Sequence, residues 1–237
     1  MDSLPENIIS IGQKNVIFSV EGREDCHGYL SPENTNSEYG IVLIQEWWGL
    51  NKSITLTADR FAKNGFRVII PDLYRGKVGK NSEQAGHLMN GLDFQGAIND
   101  IAGAGDYLKS LGCKKVGVTG FCMGGALTIA TLTSSDSFTA GVPFYGIPPL
   151  EMFKIENIRV PVLAHFGDLD QIVGFSNPEA AKNLENKAKE AEVDFTLHIW
   201  EGGNHAFMNQ DSPNYHPEIS AKALEETVGF FRKVFEL

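Results

Sequence analysis

The stretch VTGFCMGGA, residues 118–126, decides the fold, because it joins a strand to a helix through a very tight turn. Apolar residues precede the turn, the pattern G-x-C-x-G forms it, and small residues of a helix follow. Side chains flanking Cys122 would collide with neighbouring strands, which explains the glycines at positions 120 and 124. The pattern is that of a nucleophile elbow with cysteine in place of serine.

Cys122 is therefore predicted to be a nucleophile at the N-terminus of a helix, where unsatisfied backbone N–H groups favour the thiolate. The alternative interpretation is a glycine-rich turn around a buried and unreactive cysteine. A dinucleotide fingerprint, G-x-G-x-x-G, is absent from this stretch. The other two cysteines, Cys26 and Cys113, are predicted to be structural.

Apolar runs of strand length alternate with segments of helical periodicity on both sides of the elbow. Strands are predicted at residues 15–20, 24–30, 39–45, 66–71, 115–119, 139–145, 160–166 and 195–200. Helices are predicted at residues 53–64, 94–111, 123–132, 178–191 and 217–235, and a loop at residues 75–86. Apolar strands separated by helices indicate parallel pairing. We expect an α/β fold, a mostly parallel sheet with helices on both faces, in a single domain of residues 1–237.

The composition limits the partners of the protein. The 237 residues carry a formal net charge of −10, which disfavours binding to nucleic acid and to anionic membranes. Three cysteines without framework spacing argue against a disulfide-stapled secreted protein. Residues 1–7 lack the basic and apolar regions of a signal peptide. We therefore expect a cytoplasmic protein with neither nucleic acid nor membrane as a partner.

Reactive and polar residues are concentrated where the predicted strands end. Ligands of open parallel sheets bind at the carboxyl ends of the strands, so this is where we expect the site. The residues at these ends are 46–48, 72–75, 120–122, 145–146, 168–170 and 202–205.

A cysteine nucleophile needs a general base and an acid that orients it, and enzymes with this elbow have the order nucleophile, acid, histidine. His205 lies in a glycine-rich loop after the last predicted strand and is the predicted base. His165 and His198 lie within strands and are predicted to serve packing. Asp170 has the better loop position for the acid, whereas Asp168 could cap a turn through its own backbone.

Acyl transfer also needs hydrogen-bond donors for the developing oxyanion. The backbone N–H of Met123, directly after the nucleophile, is one predicted donor, and the N–H of Trp47 is the other. Glu46 is unusual, because an acidic residue at the end of an apolar strand is partly desolvated. It is interpreted either as an acceptor that interacts with the thiol or as the partner of a salt bridge to Arg75 or another base.

Taken together, these motifs resemble the dienelactone hydrolase (carboxymethylenebutenolidase) family from about residue 39 to residue 235. The resemblance is carried by QEWWGLN at 45–51, PDLY at 71–74, DFQGA at 93–97, GFCMGG at 120–125, PFYG at 143–146, FGDLDQIV at 166–173 and GGNHAF at 202–207. It implies an α/β-hydrolase fold and hydrolysis of a small ester or lactone through an acyl-enzyme.

The resemblance also implies roles for individual residues. Its Cys-Asp-His triad corresponds to Cys122, Asp170 and His205. Its active-site glutamate corresponds to Glu46, which would hold the resting thiol until substrate binding releases it. Neither a metal nor an organic cofactor is implied, and the expected partner is a small-molecule ester or lactone, bound by a monomer or small homo-oligomer.

The substrate pocket departs from the family pattern. Dienelactone-specific members use two arginines for the carboxylate of the substrate. Arg75 lies near the first position with an offset of one residue, and residues 206–209 contain no arginine at the second. We expect Arg75, Tyr145 and Trp48 to bind the substrate.

Two other functions fit parts of the pattern. Glutamine-amidotransferase-like proteins with deglycase or redox chemistry also carry a cysteine elbow, but their histidine follows it immediately, where this chain has Met123. A non-hydrolytic protein could use the same fold to bind a ligand or to sense oxidants through Cys122.

Overall fold

One sheet contains all eight strands that the computed structural model describes, within residues 14–237. The strands are β1 Val16–Phe18, β2 Cys26–Leu30, β3 Tyr39–Ile44, β4 Arg67–Pro71, β5 Lys115–Phe121, β6 Ala140–Phe144, β7 Val162–Gly167 and β8 Phe195–Trp200. The α-helices are α1 Lys52–Ala62, α2 Ser82–Asn90, α3 Phe94–Ser110, α4 Met123–Leu132, α5 Pro178–Glu190 and α6 Pro217–Phe235. Residues 1–7, where the sequence predicts no signal peptide, lie outside the described residues. Within 14–237, no helix is both long and apolar enough to cross a bilayer.

The strands follow the order β1-β2-β4-β3-β5-β6-β7-β8 across the sheet. β1 and β2 form an antiparallel ribbon that joins β4, and all pairs from β4 to β8 are parallel. The prediction of a mostly parallel sheet is therefore confirmed. From β3 the chain first adds β4 on one side and then β5 to β8 on the other, so the strand order reverses between β3 and β5. In open α/β sheets, such a switch point creates the ligand-binding crevice.

Helices cover both faces of the sheet, as predicted. Gly117 and Gly141 lie on opposite faces, because Val118 is paired with Gly141 and successive residues of a strand alternate. A Cβ on Gly117 would lie 2.4 Å from the ring of Phe231 in α6, and one on Gly141 would lie 2.3 Å from Leu132 in α4. All ten residues of α4 are buried, which is why its sequence is apolar on every side.

Helix α2 corrects the prediction of a loop over residues 75–86. Its start is capped by the Asn81 side chain, which accepts a hydrogen bond from the Gln84 N–H at 2.9 Å. The Gln84 side chain in turn accepts from the Lys80 N–H at 3.0 Å. Only Ala85 of this helix is buried, so the helix lacks the apolar periodicity by which the other helices were predicted. The Asn81–Gln84 spacing was the available signal.

The elbow after β5 is packed without room for side chains. Cys122 has a φ of +56°, in a region that L-residues rarely adopt. A Cβ on Gly120 would lie 2.3 Å from the Gly124 oxygen, and one on Gly124 would lie 2.6 Å from the Gln45 oxygen. The requirement for glycine on either side of Cys122 is therefore confirmed, and it arises from contact with the β3 backbone and with the start of α4.

Gly125, one residue further along α4, generates a prediction about stability. A Cβ there would lie 2.2 Å from the carbonyl oxygen of Phe144, whereas one on Gly229 in α6 would meet nothing within 4 Å. We expect Gly125→Ala to lower the free energy of unfolding by about 2 kcal/mol or more, because two backbones must separate. Gly229→Ala should raise it by about 0.5 kcal/mol, because alanine favours a helix. Urea denaturation of both variants checks this, and equal effects would contradict it.

Candidate active site

Three side chains from the carboxyl end of the sheet form a chain of contacts. The Nε2 atom of His205 lies 3.2 Å from the Sγ atom of Cys122. The Nδ1 atom of the same ring lies 2.8 Å from the Oδ2 atom of Asp170. Since a carboxylate only accepts hydrogen bonds, Nδ1 carries the ring proton and Nε2 is left as the acceptor for the thiol proton. The arrangement can withdraw a proton from a nucleophile.

Asp170 and Asp168 have separate positions. The Asp170 side chain is buried, and its Oδ1 atom accepts from the Ile172 N–H at 3.0 Å, which fixes the carboxylate toward His205. Asp168 is exposed and accepts from the Gly202 N–H at 2.8 Å, so it caps the loop that carries His205. Asp170 is thus the carboxylate in contact with the imidazole.

Ser176 is a member of the site that the sequence analysis missed. Its buried hydroxyl lies 3.1 Å from the Nδ1 atom of His205 and shares that ring nitrogen with Asp170. Ser176 follows β7 by nine residues, and nothing in the local sequence distinguishes it from a turn serine. The contact therefore comes from the tertiary fold alone.

The Cys122 thiol is favoured over the thiolate in the free protein. Burial is the main cause of its raised pKa, and the negative charge of Glu46 adds to the effect. The backbone N–H groups of Met123 and Trp47 face the sulfur and lower its pKa, but by less. The expected stabilisation of the thiolate by the helix N-terminus is therefore present, but burial and the charge of Glu46 outweigh it.

Glu46 is buried beside the site, and its carboxylate is directed at Asn209. The Asn209 side-chain amide donates to the Oε2 atom of Glu46, while the thiol contacts His205. In the free protein, the implied contact between Glu46 and the resting thiol is thus replaced by one to Asn209, which the sequence analysis did not identify. Burial is the main cause of the pKa of Glu46 rising to about 7, and nearby His205 opposes the shift.

Arg75 does not reach the site, which corrects its predicted role in substrate binding. Its guanidinium bonds the Asp100 carboxylate at 2.9 Å and the Sγ atom of Cys26 at 3.1 Å. Asp100 is buried and needs a cation for its charge, and Arg75 supplies it. The same contacts show that the alternative interpretation, a salt bridge between Arg75 and Glu46, is wrong.

A cavity of about 510 Å³ opens over Cys122 and His205. Trp48 lines it and packs edge to face against Trp47, with ring centroids 5.1 Å apart. Tyr145 does not line it. The tyrosine is fully buried, and its ring centroid lies 5.2 Å from that of His205, so it supports the imidazole and is out of reach of a substrate.

One group within residues 14–237 has the spacing of a metal site: His165, His198 and Glu226, with ligand atoms within 4.8 Å of one another. His165 does not fit this role. Its Nδ1 atom accepts from the Trp200 indole N–H at 3.2 Å, and its Nε2 atom lies 3.1 Å from the Thr227 hydroxyl. Burial lowers the pKa of His165 to about 3, so the ring is neutral. His165 is a packing residue, as predicted.

The sheet order, the cysteine elbow and the histidine loop define the protein as an α/β-hydrolase. Within that class, the chain belongs to the dienelactone hydrolase family, whose sequence profile matches residues 27–235. This confirms the resemblance drawn from the motifs.

Relatives and solved structures agree with this assignment. Protein usf of Aquifex pyrophilus is 34% identical over 206 residues, which cover 82% of this chain and 87% of that protein. The carboxymethylenebutenolidase of Pseudomonas putida is 27% identical over 203 residues, 80% of this chain and 84% of the relative. Among solved structures, a dienelactone hydrolase-like promiscuous phosphotriesterase from metagenomic libraries superimposes with a TM-score of 0.77 at 21% identity, covering 92% of this chain and 96% of that one. The last comparison supports the fold alone.

The environment of Glu46 generates a prediction about pH. The raised pKa of its carboxyl in the folded chain means that folding favours the protonated form. The protonated Glu46 carboxyl stabilises the fold fully at pH values below its ordinary pKa of 4.5, and this stabilisation is lost as the pH rises through about 7. Between pH 5 and pH 8, the free energy of unfolding of the wild type should therefore fall by up to about 3 kcal/mol more than that of Glu46→Gln.

Urea denaturation across this pH range measures the difference. Glu190→Gln, at the exposed end of α5, is the control, because it shows how the loss of a surface carboxylate changes the free energy of unfolding. Parallel pH profiles for wild type and Glu46→Gln would contradict the prediction.

Proposed function

We propose that this protein hydrolyses a small carboxylic ester or lactone through Cys122, His205 and Asp170, by way of an acyl-enzyme. The single observation that carries the proposal is the position of the His205 ring, 3.2 Å from the sulfur on one side and 2.8 Å from the carboxylate on the other. The carboxymethylenebutenolidases among its relatives support the substrate class. Trp48 is the proposed substrate contact.

In the acylation step, the Nε2 atom of His205 takes the thiol proton while the Cys122 sulfur attacks the carbonyl carbon. The carbonyl oxygen becomes an oxyanion between the N–H groups of Met123 and Trp47, and the pKa effects of both groups on the sulfur support this position. When the intermediate collapses, the bond to the alcohol oxygen breaks. The alcohol takes the proton from His205, and a thioester remains on Cys122.

In the deacylation step, His205 takes a proton from a water molecule, whose oxygen attacks the thioester carbon. The carbon–sulfur bond then breaks, and the sulfur takes the proton back from His205. The balance is one ester and one water consumed, and one acid and one alcohol formed. Asp170 contributes by keeping the ring in the required tautomer throughout.

Glu46 is the proposed modulator of the thiol. Its charge is among the causes of the raised pKa of Cys122, so a neutral Glu46 makes the thiolate easier to form. The contact with Asn209 keeps the carboxylate off the sulfur in the free protein. The thiol is then free to meet His205 without a prior rearrangement of Glu46.

Removal of the sulfur tests the proposal directly. We expect Cys122→Ala to lower kcat/KM for p-nitrophenyl acetate and for cis-dienelactone at least about 10³-fold, because no other nucleophile among the described residues contacts the Nε2 atom of His205. Cys113→Ala removes a buried cysteine that contacts the Ser37 carbonyl and should keep most of the activity. Acid quenching of the wild type should trap an acyl group on Cys122, detectable by mass spectrometry.

Full activity in Cys122→Ala would exclude this mechanism. Reversible oxidation of Cys122 without turnover of either ester would instead support a role in redox sensing.

The acid of the triad gives a second, independent test. Asp170→Asn keeps the shape of the side chain but can donate to Nδ1, which favours the wrong tautomer, so kcat should fall by about 10²- to 10⁴-fold. Asp168→Asn, two residues away, changes a carboxylate that contacts the Gly202 N–H, and its effect should be small. Steady-state kinetics on p-nitrophenyl acetate, with circular dichroism as a check of folding, compares the pair. Similar losses in both variants would contradict the assignment.

A further inference from the structure

The charges around the nucleophile restrict the substrates that can bind. The cavity over Cys122 and His205 has two acidic side chains in its lining, Glu46 and Asp211. Among the described residues that line it, none is a lysine or an arginine. A carboxylate placed in this cavity would lose hydration and gain no cation in return, which makes its binding unfavourable.

Asn209, an uncharged residue, is the hydrogen-bond partner of Glu46 at this cavity. Its amide donates to Glu46, and its Oδ1 atom accepts from the Ser53 hydroxyl at 3.1 Å and from the Asp211 N–H at 2.9 Å. Because these contacts hold both ends of the amide, Asn209 is fixed in place. It also brings the acidic residue Asp211 to the mouth of the cavity.

A second cavity, of about 730 Å³, is lined by neighbours of Cys122 and His205. Met123, directly after the nucleophile, lines it, and so does Phe175, whose ring centroid lies 6.2 Å from that of His205. Its lining is mostly apolar and includes Leu92 and Ile147. A cavity of this size and character accommodates the apolar part of a small ligand.

The charged residues of this second cavity are exposed: two are acidic, Glu151 and Glu179, and one is basic, Lys187. They lie in water at its mouth, where ion pairs contribute little to binding. The second cavity therefore offers no buried partner for an anion either.

We propose that the substrate is an uncharged ester whose apolar arm occupies the second cavity, and that the acidic cavity over Cys122 discriminates against esters with a carboxylate. This inference rests on the proposed function. It is consistent with the lack of a lysine or an arginine among the described residues that line the cavity over Cys122.

Two esters that differ by one methyl group and one charge test the first half of the proposal. They are the p-nitrophenyl esters of glutaric acid and of its monomethyl ester, and release of nitrophenolate is measured in both. The free carboxylate of the first ester also expels nitrophenolate by itself, so the rate without enzyme is subtracted for each ester. We expect kcat/KM for the charged ester to be at least about tenfold lower. Higher ionic strength should narrow the gap, because salt screens the repulsion from exposed Asp211.

Asp211→Asn identifies the local charge. This variant should raise the ratio of kcat/KM for the charged ester to that for the neutral ester by about two- to fivefold, because one exposed charge near the cavity is removed. Asp136→Asn makes the same change of net charge in an exposed position between α4 and β6, at the opposite edge of the sheet. That variant should keep the wild-type ratio.

Ala180 in α5 tests the second half, since it lines the larger cavity. Ala180→Trp fills part of the cavity and should lower the ratio of kcat/KM for p-nitrophenyl octanoate to that for the acetate by about tenfold. Ala221→Trp, on an exposed face of α6, is the matched control and should leave the ratio unchanged. Ala180→Leu provides a smaller change if the tryptophan variant does not fold.

The outcomes separate this inference from the function on which it rests. Cys122-dependent turnover of the charged ester as fast as that of the neutral one, or an unchanged chain-length ratio in both Ala180 variants, would overturn the inference and leave the hydrolase mechanism intact. Turnover of neither ester, or turnover that survives in Cys122→Ala, would overturn the proposed function itself.

Discussion

The structure depends on the close approach of three backbones at the elbow. β3, β5 and β6 meet where Cys122 begins α4, and a Cβ on Gly146 would lie only 2.0 Å from the Cys122 oxygen. This contact leaves room for glycine alone, and it holds Cys122 at a φ of +56°. A positive φ in a non-glycine residue persists only where the surroundings enforce it. Here the surroundings are the backbones of the sheet.

This constraint also determines the electrostatics of the site. Because the elbow is enclosed, the sulfur is poorly hydrated and its thiol form is favoured. The same enclosure raises the pKa of Glu46 to about 7. Two acidic groups with raised pKa values are thus placed next to His205, which is the acceptor available to the thiol. Nucleophile activation in the proposed mechanism therefore requires a nearby base, and His205 is hydrogen-bonded to the thiol.

The acidic side chains around the site have different surroundings. The buried Asp170 carboxylate contacts the imidazole of His205 and the Ile172 N–H, whereas Glu46 and Asp211 line the cavity. Arg75, the cation that the sequence analysis expected to bind the substrate, instead neutralises Asp100 outside this cavity. The proposed discrimination against charged substrates depends on the lining of the cavity, which can change while the contact between Asp170 and His205 is kept.

The sequence by itself determined the sheet class, the elbow and the three residues that meet at it. Glycine spacing and apolar runs are local signals, and parallel pairing brings all carboxyl ends of the strands to one edge, so Cys122, Asp170 and His205 could be predicted as neighbours. Helix α2 could not be predicted from periodicity, since only Ala85 of that helix is buried.

Only the tertiary structure decided where the long polar side chains point. Glu46 and Asn209 are 163 residues apart in sequence and share a hydrogen bond, and Arg75 is directed to Asp100, 25 residues away. Tyr145 lies at a strand end, as a substrate contact would, but packing against His205 buries it. The direction of such side chains depends on which distant group satisfies their charge or hydrogen bonds best. That competition is resolved only when the chain is folded.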